Sequence, residues 1–411
     1  MPEVGEVAHA VAQLRRNTLN HKIVSLGLQE DSLLFPFLKD PENTEKILDL
    51  HDKLLNTTIL SVGRHGKYFW IRLSSSDGSP ETSVLVMHFG MTGWIKLNNI
   101  PSSMVFMEGG GDKLVLEQIK KEEDKIKYEA KFEKEGLFGD KEPEEVWPPK
   151  FSKLIMKLQN ESTGHTIDLS FVDPRRLGRI RHLTGPKVQS NKSLVCECSP
   201  LKELGPDYLK SSYFDSSPPF VSGDPDPNNH GKPRLSLPDF QALVLSKKKP
   251  IKSLLLEQTI FSGVGNWMAD EICFQARIHP NEILTSVISS DGTIHPLIEK
   301  LYETVIFVCE TAVKYEAEVL QFPKDWLMPY RWGKRRKNVK VKTSDGYDVD
   351  FITIGGRTSC FVPEVQKTFK SMDMAQKRKV KEEAVLEVLE ITVAGFKVEE
   401  VTLKRSKRKK N

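Results

Sequence analysis

Apolar residues near the start of the chain recur at helical spacing. Val4, Val7, Val11 and Leu14 are three or four residues apart, so they share one face of an α-helix. The pattern predicts an amphipathic helix that begins almost at the first residue. We therefore expect the N-terminus to be part of the folded structure.

Shorter apolar or alternating runs follow, punctuated by glycines. Their length and their β-branched and aromatic residues predict the strands of a sheet or a sandwich. These runs occupy residues 58–62, 68–71, 84–87, 153–158 and 166–171. Between them, Gly109–Trp147 has three consecutive glycines and a Lys/Glu-rich middle, which is typical of a solvated insertion.

The second half of the chain has a different pattern. Ser216–Pro238 is rich in Pro, Ser, Asp and Asn, which predicts a linker. Ser236 and Asp239 form a variant of the helix-capping pattern. The apolar positions that follow, including the stripe from Leu297 to Ala312, predict successive helices.

A last pair of strands is expected near the C-terminus. The run Phe351–Val362 surrounds Gly355-Gly356, which predicts a β-hairpin with Arg357 at its tip. We therefore expect an α+β fold in five parts. These are an N-terminal β-sandwich domain with a leading helix (1–215, with a charged insertion at 104–150), a linker (216–237), a helical domain (238–335), a hairpin (336–368) and a basic flexible tail (369–411).

Composition excludes several classes of protein. Hydrophobic residues make up 38% of the chain, and no stretch approaches the ~20 apolar residues of a membrane span. The N-terminal sequence has neither a secretory nor a transit pattern. Five cysteines without a CxxC pair indicate a reducing compartment and argue against disulfides and a structural zinc site.

Charge is unevenly distributed along the chain. Residues 107–146 hold 13 acidic and 8 basic residues, which leaves 52 basic against 43 acidic residues and a net charge of +9 elsewhere. Lys404–Lys410 carries six positive charges in seven residues. This run favours a nuclear import signal or a DNA tether, and the remainder suits a polyanionic partner.

Pro2 offers the first candidate chemistry. Once the initiator methionine is removed, proline has a secondary amine with a reference pKa of ~8, and the positive end of a helix lowers that pKa further. Such an amine can attack a sugar C1′, and the resulting iminium permits elimination of the 3′ phosphate. Glu3 is the natural acid for this step. Proline at position 2 is common, so the feature alone carries no function.

Three turns add further candidates. Lys67 lies at the edge of a strand, where it is either a solvent-facing lysine or a phosphate ligand. Met91 lies in a glycine-flanked turn and is either a buried methionine or an exposed wedge. Arg175 and Leu177 either form a surface turn or fill the void that an extruded base leaves.

A fourth turn precedes a predicted helix. Gly263–Asn266 would direct backbone amides and the Asn266 cap outward as an anion site for a DNA phosphate. A GxGN turn is a weak signal by itself. The lysines upstream of it, Lys247 to Lys249 and Lys252, strengthen the assignment.

In this order, the motifs resemble the formamidopyrimidine-DNA glycosylase (Fpg/Nei) family, and the zincless type of plants and fungi in particular. No single motif decides the resemblance, but their joint order is specific. They run over nearly the whole folded length: Pro2–Val7, Lys67, His88–Gly93, Asp173–Gly178, Lys247–Lys252, Gly263–Pro280 and Gly355–Thr358.

The resemblance implies an N-terminal β-sandwich, a helix-two-turn-helix domain and a hairpin finger, with DNA in the cleft between them. Pro2 would be the nucleophile and Glu3 the acid, while Lys67 and Arg357 would hold phosphates and assist elimination. Void-filling roles fall to Met91, Arg175 and Leu177, and DNA contacts to Asn266, Lys248 and Lys252. The loop that would cover an extruded base is expected near residues 318–336.

Two departures from the family pattern stand out. Gly5 replaces a frequent proline, which is expected to loosen the first helical turn. The finger has one cysteine, Cys360, where zinc-bearing members have four, so we expect no metal and no cofactor. Cys196 and Cys198 are not expected to be ligands. The hairpin would instead be held by apolar packing of Ile352, Ile354, Phe361 and Val362.

The implied function is excision of oxidised purines from damaged double-stranded DNA, followed by strand cleavage, by a nuclear monomer with no membrane association. Formamidopyrimidines are the first candidate lesions and 8-oxoguanine the next. Two alternatives remain open at this stage. One is a non-catalytic DNA-binding protein on the same fold, against which Pro2, Glu3 and Lys67 argue. The other is an RNA-binding protein, in which the wedge residues would have no purpose.

Overall fold

The computed structural model describes residues 2–40, 42, 45–75, 78, 81–102, 121, 146–210, 232–287, 293–332 and 341–369. The insertion 104–150 and the linker 216–237 fall largely outside these residues, as does the tail. The helices are α1 (Val4–Thr18), α2 (Ile47–Leu54), α3 (Asn191–Glu197), α4 (Leu237–Leu245), α5 (Ile251–Leu255), α6 (Asn266–Gln275) and α7 (Pro296–Lys314). The strands are β1 (Lys22–Leu28), β2 (Ile59–His65), β3 (Tyr68–Leu73), β4 (Ser83–His88), β5 (Trp94–Leu97), β6 (Ser152–Gln159), β7 (Thr166–Val172), β8 (Arg179–Leu183), β9 (Asp350–Ile354) and β10 (Arg357–Phe361).

Two four-stranded antiparallel sheets form the predicted sandwich. Their strand orders are β1-β6-β7-β5 and β2-β3-β4-β8. Alternate residues of each strand point inward, and side chains such as Phe69, Phe171 and Ile180 fill one shared core. The outer face of the second sheet carries Trp70 and Val86, which pack beneath residues 186–204.

Helix α1 belongs to both halves of the molecule. Val7, Val11 and Leu14 pack into the sandwich core, whereas Val4 packs into the helical core. At Gly5, a Cβ atom would lie 3.0 Å from the carbonyl oxygen of Ala312 in α7. The glycine therefore permits close approach of two helices, and α1 begins at Val4. The expected loosening of its first turn stays a prediction.

The helical domain is built around α4 to α7. Ser236 caps α4 and accepts a hydrogen bond from the Asp239 amide at 3.3 Å, which confirms the predicted helix start. Tyr208 lies before the predicted linker but stacks on Phe261, with ring centroids 5.1 Å apart, inside this core. The helical domain therefore recruits residues that the sequence pattern assigned to the N-terminal domain.

The C-terminal hairpin also packs as predicted, except that Cys360 is buried and Ile352 is only half-buried. Gly355 and Gly356 both have positive φ angles, which suits a tight turn, and Arg357 is exposed beside them. Val362 and Cys360 are buried against Phe274 of α6. Cys360 thus serves as a core residue, while Ile352 is only half-buried.

No helix among the described residues has the length and apolar content required to span a membrane.

Candidate active site

The glycine-rich turn before α6 holds the carboxylate of Glu3. The backbone amides of Trp267 and Met268 donate to Glu3 Oε1 and Oε2 at 2.9 and 3.2 Å. A Cβ at Gly265 would lie 2.2 Å from the Glu3 carboxyl carbon, so only glycine leaves room for this contact. A protein carboxylate, and not a DNA phosphate, therefore occupies these two amides at the positive end of the helix. The predicted contact of Asn266 with DNA stays a prediction.

Glu6 closes a ring of hydrogen bonds around Glu3. The Glu3 backbone amide donates to Glu6 Oε2 at 3.0 Å, and the Trp267 indole donates to Glu6 Oε1 at 3.1 Å. Burial, followed by the neighbouring charge of Glu3, raises the pKa of Glu6 to about 7. The chain thus places a carboxyl group that titrates near neutrality next to the predicted acid.

Pro2 is buried immediately before this ring, at the start of α1. The α1 backbone is tied to the glycine-rich turn, because the Val4 amide donates to the Gly263 carbonyl at 3.2 Å. Pro2 and Glu3 are consequently fixed relative to α6. The predicted nucleophile and the predicted acid are therefore on one short segment whose position the helical domain sets.

Lys67 lies in the turn between β2 and β3, with only 6% of its surface exposed. Burial lowers the pKa of its ammonium group below the usual range, and the charge of Arg357 lowers it further, whereas Glu3 and Glu6 oppose the shift. Lys67 therefore lies within electrostatic reach of the acid, of the second carboxyl group and of the hairpin tip. The sequence pattern left open whether this lysine faces solvent, and the structure places it in the site.

Buried charges behind Lys67 hold its turn in place. Asp207 accepts hydrogen bonds from the Gly66 amide at 2.9 Å and from Arg64 Nη1 at 2.8 Å, and Lys210 Nζ donates to the Arg64 carbonyl at 2.7 Å. A buried ion pair with additional hydrogen bonds is costly to break. Asp207 was not predicted from the sequence, because it carries no motif of its own.

Arg357 and Asn266 lie where the hairpin joins the start of α6. Asn266 is the first residue of α6 rather than its cap. Its Nδ2 donates to the Thr358 carbonyl at 3.2 Å, which ties the hairpin to the start of α6. Asn266 Oδ1 is buried without a hydrogen-bond partner among the described residues.

Two adjacent turns present the predicted wedge residues. Met91 and Leu177 have 37% and 40% of their surface exposed, and Arg175 is exposed on the same turn as Leu177. The turns touch, since a Cβ at Gly90 would lie 2.4 Å from the Leu177 carbonyl carbon. Asp173 locks both, because it accepts from the Thr92 hydroxyl at 3.2 Å and from the Gly178 amide at 2.7 Å.

The two predicted DNA-contacting lysines differ in position. Lys248 is exposed, as a phosphate contact requires. Lys252 is fully buried, and its Nζ donates to the Asn266 carbonyl at 2.7 Å and pairs with Asp270. The predicted DNA contact for Lys252 is therefore wrong. Its ammonium group binds Asn266 and Asp270 beneath the first turn of α6, where it positions Asn266.

The expected loop over an extruded base is partly described. Up to Trp332 its apolar side chains, such as Phe322 and Trp326, pack into the helical core, and the Met328 amide donates to the buried Glu271 at 2.9 Å. The remainder of the segment, residues 333–336, lies outside the described residues. Within the described residues no three His, Cys, Asp or Glu side chains cluster as metal ligands would.

Two family models match the chain. The formamidopyrimidine-DNA glycosylase N-terminal domain matches residues 1–180, and the formamidopyrimidine-DNA glycosylase H2TH domain matches residues 225–324. A formamidopyrimidine-DNA glycosylase of Arabidopsis thaliana is 29% identical over 369 residues, which span 90% of this chain and 72% of the relative. The Zymomonas mobilis relative of the same name is 23% identical over 89% of this chain and its own full length.

Solved structures share the fold. A Lactococcus lactis Fpg protein bound non-covalently to DNA that contains an AP site is 18% identical, with a TM-score of 0.54 over 89% of this chain and 99% of that one. A complex of the LlFpg protein with THF-DNA and an inhibitor has a TM-score of 0.55 at 20% identity, over 89% of this chain and all of that one. The two family models and these relatives establish that the chain belongs to the formamidopyrimidine-DNA glycosylase (Fpg/Nei) family of DNA repair glycosylases.

Proposed function

We propose that the protein is a bifunctional DNA glycosylase and AP lyase that excises oxidised purines from duplex DNA through a Schiff base on Pro2. Formamidopyrimidines are the first candidate lesions and 8-oxoguanine the second. The observation that carries the proposal is the fixed juxtaposition of Pro2, Glu3 and Lys67 at the start of α6. These groups supply a nucleophile, a proton donor and a cation in one buried site.

The chemistry begins at the Pro2 nitrogen. Its lone pair forms a bond to C1′ as the bond from C1′ to the base breaks. The nitrogen then loses its proton, and the departing base gains one. Glu3 protonates the ring oxygen O4′, the sugar ring opens, and the nitrogen and C1′ form an iminium. The iminium withdraws electrons from C2′, whose proton is lost as the C3′–O bond breaks. Loss of the C4′ proton then expels the 5′ phosphate as the C5′–O bond breaks, and water hydrolyses the iminium to free the amine.

Glu6 supports the acid in this scheme. With a pKa of about 7, its carboxyl group exchanges protons near neutral pH. It accepts hydrogen bonds from the Glu3 amide and from the indole of Trp267, whose backbone amide donates to Glu3. Lys67 and Arg357 supply positive charge for the phosphates that flank the lesion. Asn266 fixes the hairpin that carries Arg357.

The wedge residues account for access to the base. A base within a duplex must be extruded before its glycosidic bond can be attacked. Met91 and Leu177 are exposed apolar side chains on two locked turns, and Arg175 accompanies them. These are the properties that an insertion into a base stack requires. The LlFpg and Lactococcus lactis Fpg structures are complexes with THF-DNA and with DNA that contains an AP site, which supports DNA as the partner.

Base release from irradiated DNA tests the proposal. Oxidised purines should appear in the supernatant and be identified by chromatography and mass spectrometry, and duplexes with a preformed abasic site should be cleaved. Glu3→Gln should lose base release by about 10²-fold or more through loss of the general acid, while retaining some cleavage at abasic sites. Damaged-DNA binding with no released base and no cleavage would instead identify a non-catalytic DNA-binding protein.

We further propose a nuclear, monomeric protein that works without metal. A deletion of the basic run Lys404–Lys410, which lies outside the described residues, should weaken nuclear retention or salt-dependent DNA affinity. If neither changes, both roles proposed for the run are wrong.

Strong chelators should leave activity intact, and stoichiometric zinc together with chelator sensitivity would overturn the metal-free assignment.

A further inference from the structure

A line of polar side chains crosses the outer face of the second sheet just below the wedge turns. His88 is paired directly with Tyr68 of β3 on one side and with Arg179 of β8 on the other. Side chains at directly paired positions lie about 5 Å apart on one face. Arg181, two residues beyond Arg179, shares that face because successive strand residues alternate.

The two arginines have no acidic partner among the described residues. Arg179 Nη1 donates only to the neighbouring Gly178 carbonyl, at 2.6 Å. Arg181 Nη1 is buried without any hydrogen-bond partner there. An unsatisfied buried donor is costly, and the arginine pairs elsewhere in the described chain, such as Arg64 with Asp207, show the usual solution.

These arginines extend the positive charge of the candidate site. Burial, followed by the charges of Lys67, Arg179 and Arg181, lowers the pKa of His88 to about 4. His88 is therefore neutral at neutral pH, and its Nδ1 accepts the Gly90 amide at 3.0 Å. Burial raises the pKa of the Tyr68 hydroxyl, and the charges of Arg181 and Arg179 oppose this shift. The charge of the exposed Glu203 adds to it. Positive charge thus continues from Arg357 through Lys67 and past His88.

The position of the arginines relative to the wedge is set by chain geometry. Arg179 follows Leu177 by two residues, which is about 7 Å of extended chain. Duplex DNA carries one phosphate charge per ~1.7 Å of its axis. If Leu177 enters the base stack, phosphates near the lesion lie within reach of guanidinium groups at this distance.

We propose that Arg179 and Arg181 form a binding site for a backbone phosphate of the DNA, on the outer face of the second sheet beyond Lys67. Both side chains are half-buried, and a phosphate oxygen would accept charge-assisted hydrogen bonds from their guanidinium groups. The site increases the affinity for DNA and fixes the position of the protein along the duplex. It takes no part in bond breaking. This inference rests on the proposed function, since it requires the wedge turns to face DNA.

Salt dependence of DNA affinity tests the site. The variants are Arg179→Gln, Arg181→Gln and the double variant, with Arg234→Gln as a matched control because Arg234 is paired with Glu310 at 3.0 Å. Affinity for a duplex with an uncleavable abasic analogue is measured over a range of salt concentrations. The slope of log K against log salt should fall by ~0.9 for each phosphate that the variant no longer neutralises. Affinity at low salt should fall by about tenfold in the double variant but not in the control.

A second measurement works without relying on the folding of any one variant. Single methylphosphonates, which lack the phosphate charge, are placed along both strands. At one or two positions the substitution should weaken binding by the unmodified protein and have no further effect on the double variant or on Arg179→Gln alone. The inference is overturned if the methylphosphonate at every sensitive position weakens DNA binding equally for the unmodified protein and for these variants. Failure of the unmodified protein to bind or cleave damaged duplex would instead refute the proposed function.

Discussion

The turn before α6 and the wedge turns are both short, glycine-containing loops, yet they are built in opposite ways. The first is buried, and its amides are taken up by the Glu3 carboxylate. The second pair is locked from beneath by Asp173 while Met91 and Leu177 remain exposed. The fold thus fixes Glu3 with internal partners and leaves Met91 and Leu177 exposed, the surface that the proposed function assigns to the duplex. Changes at the buried turn should therefore abolish chemistry, whereas changes at the wedge should slow access to it.

Blocking the Pro2 amine should have the largest effect. An uncleavable N-terminal extension converts the amine into an amide without a nucleophilic lone pair, and it also crowds a buried position. We expect base release and strand cleavage to disappear, measured as single-turnover rates on lesion and abasic duplexes. A C-terminal tag of the same sequence is the control. Normal rates in the extended protein would contradict the assignment of Pro2.

Gly265→Ala should come next. Its Cβ would lie 2.2 Å from the Glu3 carboxyl carbon, so Glu3 must leave the α6 amides, and base release should fall by about 10²-fold or more. Affinity for abasic-analogue DNA should change much less. Gly27→Ala is the control, since its Cβ would meet only ordinary contacts, the nearest at 3.9 Å. If Gly265→Ala retains the parental rate, the buried turn does not set the position of the acid.

Met91→Ala should have a smaller effect of a different kind. The side chain is 37% exposed, so the free energy of unfolding should change by no more than about 0.5 kcal/mol. Because base extrusion costs a few kcal/mol, we expect about a tenfold slower excision from duplex DNA and little change on a single strand. Leu48→Ala, at a 68% exposed residue of α2, serves as the control. Equal slowing on both substrates would show that Met91 does not act as a wedge.

Glu6→Gln should give the smallest change, in the pH dependence of stability. The folded pKa of Glu6 is raised from 4.5 to about 7, so the folded state binds more protons than the unfolded state between these values. The contribution is complete below the unfolded pKa and is lost as pH rises through about 7. The parent should therefore lose more stability than the variant between about pH 5 and about pH 8, measured by urea unfolding. Parallel pH profiles would show that Glu6 does not titrate in this range.

Sequence patterns predicted the elements that have a period or a turn signature. Val4, Val7 and Val11 predicted α1, and Gly355-Gly356 predicted the hairpin, because spacing and positive φ angles are local properties. The partner of the GxGN turn was not predictable in this way, since Glu3 lies more than 260 residues from Trp267. Glu6 was missed although it follows Glu3 at capping-box spacing. That spacing would have been sufficient to single it out.

The burial of individual side chains likewise could not be predicted from the sequence. Lys248 and Lys252 belong to the same basic run, yet Lys248 is exposed and Lys252 is buried against Asp270. Only tertiary packing distinguishes a lysine that faces solvent from one that supports a helix. Arg179 and Arg181 illustrate the reverse, since they carry no motif, and only the sheet register aligns Arg179 with His88 and Arg181 with Val86.

Locating the covalent bond between protein and DNA would test the proposed mechanism at its first step. Damaged duplex is incubated with the protein, and borohydride reduces any Schiff base to a stable adduct, which is then digested and sequenced by mass spectrometry. Pro2 and Lys67 are the two amines that the proposed function places at the candidate active site, and they fall in different peptides. We expect the sugar remnant to be attached to the N-terminal Pro2. An adduct on Lys67, or trapping that survives an uncleavable N-terminal extension but is lost in Lys67→Ala, would contradict the mechanism.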